Sequence, residues 1–302
     1  MVKIADVAKH AKVAPSTVSY VLSGKRPISP EVRRRVEESI RALGYQPHAG
    51  ARALASRRTN IIALVIPLRT GVHVPVLMRF VTAVTARARQ FDHDVLLLTQ
   101  GEGERGLQRV QGSSLADAII VMDDELNDER LPLLRDLETP AVLIGSPRDS
   151  TDLTCIDLDF HAAGAKCVAH LADLGHRHVA LVGTTARVAD GAHAAAATRG
   201  VEVATRMDDH VTGVIVQNVP ALESWLHTLR PDVAVVAICP DEVAERLDLT
   251  AVALPAEDVG RRAVELAMAK LDGEPVDAET VLAPTLTIRA STAYSRSSQL
   301  AE

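Results

Sequence analysis

Between Val13 and Gly24 the sequence reads VAPSTVSYVLSG. Pro15, Ser16, Thr17, Ser19 and Tyr20 are small or polar, while Val18, Val21 and Leu22 make one narrow apolar stripe. A short helix with such a face suits close approach to a flat, polar partner. In a helix-turn-helix, the second helix presents its N-terminal residues to base edges in the DNA major groove. A second set of chemically able residues follows the apolar runs further along: Arg69, Thr70, His73, Asp123, Ser146, Asp159, Phe160, Thr184, Asn218 and Cys239. Each alone suits a turn or a cap. Together they could line a polar cleft for a small molecule, because ligands of α/β sheets bind beyond the carboxyl ends of strands. His176 and His178 flank Arg177, but alternate residues at a strand start point to opposite faces, so no metal site is expected. No nucleophile elbow, phosphate loop or well-placed carboxylate pair is evident, so neither an enzyme nor a cofactor is expected.

The elements that must position these residues fall into a head, a joint and a body. In the head, Ile4, Val7, Ala8 and Ala11 follow helical spacing. The segment KVA leads into a helix over Pro15–Leu22, with Pro15 where a helix start tolerates it. A third helix is signalled by Ser29 as N-cap, Pro30, the early acid Glu31, the stripe Val32, Val36, Ile40 and Leu43, and the closing Gly44. The joint, Pro47 to Thr59, has room for only about two helical turns, too few to persist alone.

The body alternates apolar runs with helical stretches. Strands are expected at 61–67, 94–99, 117–123 and 141–146, then at 178–184, 213–218 and 233–238. Helices are expected over Pro75–Phe91 and Ala162–Leu174. Runs this apolar suit parallel strands covered on both faces, and two series suggest two lobes.

Charge separates head from body. Residues 1–58 hold twelve lysines and arginines against four acids, a net of +8. The whole chain is −6, which leaves −14 for residues 59–302. A basic module on an acidic body suggests nucleic acid as the partner of the head. Three cysteines, Cys155, Cys167 and Cys239, lack metal-ligand spacing and read as reduced thiols. No opening signal segment is present and no apolar run reaches about 18 residues, so a cytoplasmic protein without membrane contact is expected.

The stretch IADVAKHAKVAPSTVSYVLSGKRPISPEVRRRVEESIRALGYQPHAGARALASRRTNIIALVIP resembles the N-terminus of the lactose-repressor (LacI/GalR) family of bacterial transcription regulators. D-V-A, V-x-x-x-T-V-S, the G-Y-x-P turn, the A-x-x-L joint and R-x-T before a strand carry the likeness, and a looser similarity runs to Ser291. The resemblance implies an all-α helix-turn-helix domain over residues 1–46, a hinge helix over 47–59, and a two-lobed α/β body over 60–302. That body is of type I periplasmic-binding-protein kind, with parallel sheets and lobe crossings near Asp157, near Thr250 and after Gly273. The implied partners are a pseudo-palindromic double-stranded DNA operator and a second copy of the chain. Pro15, Ser16, Thr17, Ser19, Tyr20, Ser29, Arg33, Tyr45, His48, Ala51, Arg52, Leu54 and Arg57 would meet the DNA. Leu54 would wedge into the minor groove, with Arg52, Arg57 and Arg58 beside phosphates.

The sequence also departs from the pattern. Lys12 replaces a turn glycine, Ala14 a capping serine, and Tyr20 stands where many members carry a base-reading arginine. His48 holds a position usual for asparagine. Cys239 takes the place of a ligand-holding aspartate, the span after strand 178–184 is abbreviated, and a strand–helix unit is shortened between Val203 and Thr212. A repressor with a small-molecule effector is the leading reading. An effector-independent regulator, or a small-molecule-binding protein with a vestigial head, are the alternatives.

Overall fold

The computed structural model describes residues 2–23, 26–45, 58–67, 74–99, 103–112, 115–122, 130–147, 149–219 and 221–293. The head is three helices, α1 (Ile4–Ala11), α2 (Pro15–Ser23) and α3 (Pro30–Leu43). Lys12 ends α1 in the left-handed conformation at φ 56°, which is why a glycine would suit that turn better. Ser29 caps α3 by accepting from the Val32 N–H at 3.4 Å, and Gly44 closes it at φ 60°. Val7, Ala8, Ala11, Val18, Val21, Val36 and Tyr45 form the core. Leu22, expected on the apolar stripe, is 37% exposed instead. The Ser39 hydroxyl, buried in this core region, donates to the Arg35 carbonyl at 2.7 Å and meets His10 Nδ1 at 2.9 Å. That contact ties α1 to α3 with a polar pair.

The body enters at Arg58. Its guanidinium pairs with Asp272 at 2.8 Å, and the next two backbone amides, Thr59 and Asn60, both donate to the Asp117 carboxylate at 2.7 Å. The chain then forms β1 (Ile61–Ile66), α4 (Val74–Gln90), β2 (Asp94–Thr99), α5 (Gly103–Gly112), β3 (Ala118–Met122), α6 (Leu131–Arg135), β4 (Ala141–Ile144) and β5 (Cys155–Leu158). It crosses at Asp159 into α7 (Phe160–Asp173), β6 (His178–Val182), α8 (Ala186–Arg199), β7 (Glu202–Ala204), β8 (Gly213–Gln217), α9 (Leu222–Leu226), β9 (Ala234–Cys239), α10 (Asp241–Arg246) and β10 (Thr250–Ala253). The final stretch is α11 (Ala256–Leu271), β11 (Glu279–Leu282), β12 (Leu286–Thr287) and α12 (Ala290–Ala293).

Two six-stranded sheets result, in the orders β11-β5-β4-β3-β1-β2 and β12-β10-β9-β8-β6-β7. Every pairing is parallel except β10 with β12, so the second sheet carries one antiparallel edge strand that the expectation of parallel sheets did not contain. Ile62, Leu64, Ile120, Ile156 and Val264 centre one side of the first sheet, and Val179, Ile215, Val236 and Val252 one side of the second. The lobes are joined three times, after β5, after β10 and after β11, by short segments. β7 and β8 run parallel on either side of β6, and a parallel crossover ordinarily needs a dozen or more residues and a helix. Between β7 and β8 the chain uses only residues 205–212, without a helix. Arg230 pins that loop by donating to the Asp209 carbonyl at 2.8 Å and the Val211 carbonyl at 2.7 Å. Among the described residues no helix is long and apolar enough to cross a membrane.

Candidate DNA interface and interlobe cleft

On the head, the packing of Val18 and Val21 turns the other side of α2 outward. Pro15 and Ser16 are exposed and Thr17, Ser19 and Tyr20 are half-buried. The Arg26 guanidinium lies over the Tyr20 ring at 5.1 Å, a cation–π contact that brings a positive charge onto this face. At the N-terminus of α2 the Ala14 carbonyl accepts from Thr17 and Val18. Ala14 has no side chain to cap the first amides. Arg33 is exposed on α3, and Ser29 spends its hydroxyl on the cap. Tyr45, read from the sequence as a DNA contact, is 6% exposed and packed into the head's core, where its ring supports the helices. His48, Ala51, Arg52, Leu54 and Arg57 lie outside the described residues. Arg58 is described, and it is held by Asp272 of the body.

The cleft candidates divide in the same way. Arg69, Thr70, His73 and Asp123 lie outside the described residues. Ser146 is nearly buried just past β4, with its hydroxyl 3.4 Å from Glu279. Asp159 caps α7 by accepting from the Ala162 amide at 2.8 Å, and Phe160 packs on the second lobe's core. Asn218 ends β8 at φ 42°, and Thr184 is half-buried after β6. Cys239 is buried, and that burial raises its thiol to about 11, so it is a neutral, inert group there.

Four residues that sequence reasoning missed give the cleft its chemistry. Arg187, in the first turn of α8, donates to the Ser146 carbonyl at 3.2 Å, from the second lobe to the first. Asp157 on β5 and Glu279 on β11 stand near it. Burial pushes the Asp157 carboxyl up to about 7, Glu279 adds to the rise, and the Leu158 amide and Arg187 oppose it. Gln217, 5% exposed at the end of β8, accepts from the Thr185 amide at 2.9 Å. The signal for Arg187 was its place at the start of a helix directly after a strand end. The signal for Asp157 was an acid inside an otherwise apolar run, CIDL.

His176 meets Thr212 at 3.0 Å and His178 meets Glu202 at 3.1 Å, so the two histidines serve separate partners. Among the described residues no group of three His, Cys, Asp or Glu could hold a metal ion.

Residues 3–48 match the family model described as bacterial regulatory proteins, lacI family. Residues 168–292 match the periplasmic binding protein-like domain. The head thus matches the lacI-family domain and the second lobe the periplasmic binding protein-like domain. Among the curated relatives is catabolite control protein A of Priestia megaterium, 29% identical over 187 residues, which cover 61% of this chain and 55% of that protein. Another is the HTH-type transcriptional regulator pepR1 of Lactobacillus delbrueckii subsp. lactis, 30% identical over 187 residues, or 60% of this chain and 54% of that one. The matched part thus spans a little over half the length of these relatives.

Among solved structures, the lac repressor dimer bound to operator and the anti-inducer ONPF aligns with a TM-score of 0.77 at 21% identity, over 96% of this chain and 99% of that one. The complex of the transcriptional regulator CelR with cellobiose aligns with a TM-score of 0.65 at 25% identity, over 96% and 100%. The architecture of helical head and two-lobed α/β body is therefore shared with these solved regulators.

Proposed function

We propose that this chain is a DNA-binding transcription regulator, a repressor that reads a pseudo-palindromic operator as a homodimer. The observation that carries the reading is the exposed polar face of α2 on a head of net charge +8. Ser16, Ser19 and Tyr20 face base edges in this reading, and Arg33 holds phosphate. The hinge, residues 47–59, folds only when two copies pair on DNA, with Leu54 as the wedge that unstacks a base step. The second copy docks on the first lobe, where Val74 is 51% and Met78 46% exposed beside a groove of about 500 Å³ between α4 and α11. The two-lobed body takes a small-molecule effector in its cleft. Simple sugars are poor candidates, because a buried neutral thiol at Cys239 offers no strong acceptor to a sugar hydroxyl. The setting is the cytoplasm.

Fluorescence anisotropy on operator and scrambled DNA, at several salt concentrations, tests the reading. Tyr20→Ala should change the preferred base at particular positions, with about 1–3 kcal/mol of discrimination lost. Arg33→Ala should weaken all sequences alike and lower the salt slope by about one. Binding that is equal on both DNAs in the unaltered protein would sink the proposal.

A further inference from the structure

Only short segments join the lobes: β5 runs into α7 through Asp159, β10 into α11 through Leu254 and Pro255, and β11 into β12 through residues 283–285. Such joints absorb rotation easily, so what sets the angle between lobes must lie away from them. Two arginines make bonds of that kind. Arg187 of the second lobe donates to the Ser146 carbonyl of the first at 3.2 Å. Arg79, on α4 of the first lobe, bonds Glu242 on α10 of the second, and its Nε is held by Glu257 on α11 at 2.7 Å. The two links run in opposite directions, one arginine from each lobe.

Their surroundings keep both in place. Arg187 lies against a first-lobe wall that includes Asp157 and Glu279, so charge as well as the carbonyl favours its seat. Arg79 is fixed on its own lobe by Glu257, which removes much of its rotamer freedom before it reaches Glu242.

We propose that Arg187 and Arg79 form a two-point latch that holds the lobes together by the chain's own side chains. Opening the cleft requires both bonds to break, and a small molecule that enters beside Ser146 must first displace Arg187. The lobe angle is then set by the protein in the absence of effector. This goes beyond the DNA-binding reading and is tested without DNA.

The experiment is hydrogen exchange and small-angle scattering on the full chain, alone in buffer, for the unaltered protein and R187A/R79A. Removing both links should speed amide exchange in segments 144–147 and 183–187 by about tenfold, the factor equivalent to about 1.4 kcal/mol, and raise the radius of gyration. Exchange in β3 and β8 should stay unchanged, which reports that both lobes remain folded. R187K, which keeps a donor, should retain most of the protection. E242Q should open the lobes partway with little change in shape at the site. Unchanged exchange and scattering in R187A/R79A, or an unaltered protein already as open as that variant, would overturn the latch. If R187A/R79A loses β3 or β8 protection as well, E242Q and R187K decide: equal exchange in E242Q and the unaltered protein counts against it.

Discussion

Gly191→Ala tests how the second lobe carries its cleft residues. Helices α7 and α8 cross so closely that a Cβ on Gly191 would stand 1.9 Å from the His161 carbonyl oxygen, and one on Gly164 would stand 2.0 Å from the Val188 oxygen. An ordinary carbon–oxygen contact is about 3.3 Å, so the alanine forces the helices apart by more than about 1 Å. Both obstacles are backbone atoms, which cannot swing aside as a side chain can. Ala163, Cys167, Val188 and Ala192 share this interface and are fully buried. A radial gap of about 0.5–1 Å forfeits a quarter to a half of each dispersion contact. Overpacking typically costs about 1–3 kcal/mol, and a clash with a backbone atom at so close a helix crossing places Gly191→Ala at the top of that range, about 3 kcal/mol. At roughly 2–4 °C per kcal/mol for 150–250 residues, the melting temperature should fall by about 6–12 °C. Arg187 sits one turn before Gly191 on α8, so the displaced helix should also weaken its bond to Ser146. Thermal melting by circular dichroism is the assay, with exposed Gly112→Ala as control, because nothing lies within 4 Å of a Cβ there. A loss below about 1 kcal/mol at Gly191, or one equal to that at Gly112, would refute the close-packing argument.

Three further outcomes follow from buried polar groups and from the latch. Asp157 has its carboxyl raised from 3.8 to about 7, so between those values the folded chain holds a proton that the unfolded chain has released. Its stability contribution is therefore present at low pH and lost as pH rises through that window, flat above about 7. Asp157→Asn should match the unaltered protein near pH 4 and exceed it at pH 8 by up to about 4 kcal/mol, measured by urea midpoints; equal gains at both pH values would contradict the burial of the charge. Thr250 is fully buried; its hydroxyl donates to the Arg289 carbonyl at 3.0 Å, accepts from the Arg289 amide at 2.9 Å and meets Thr292 at 2.6 Å. Thr250→Val strands those partners at about 1–3 kcal/mol each, and hydrogen exchange over 288–293 should rise first. High salt should loosen the lobes of the Arg187→Ala variant, whose remaining Arg79–Glu242 link is exposed and screened, more than those of the unaltered protein.

The ends of α3 were legible to the residue because their signals are local. Ser29, Pro30 and Gly44 are end-markers read from neighbours, and the structure bounds α3 at Pro30–Leu43 accordingly. The long apolar runs announced β1, β2, β3, β4, β6, β8 and β9 for the same reason. The strands that were not announced, β5, β7, β10, β11 and β12, have four residues or fewer. Such a run carries too few alternations to be told from a loop, and it becomes a strand only because a neighbour distant in sequence offers it a ladder. Tyr45 shows the limit for single side chains. A tyrosine after a helix-closing glycine suits a DNA contact or a core plug equally, and burial by Val7 and Val36 decides it. Arg187, Asp157 and Glu279 are separated by up to 122 positions and meet only through the interlobe crossings, so no window of sequence could have joined them.

On the second lobe, the strand-end groups are a neutral buried thiol at Cys239, a half-buried Thr184 and Gln217, whose side-chain oxygen already accepts from the Thr185 amide. The charged groups gather instead at Arg187, Asp157 and Glu279, around the bond that joins the lobes. Any ligand there competes with an interaction already made, so its net gain is the difference between its own contacts and those of Arg187. A ligand shifts a conformational equilibrium only by its differential affinity for the two states. In this chain that difference includes releasing Arg187 from the Ser146 carbonyl, which makes the strength of the latch a direct term in how the body would respond to an effector.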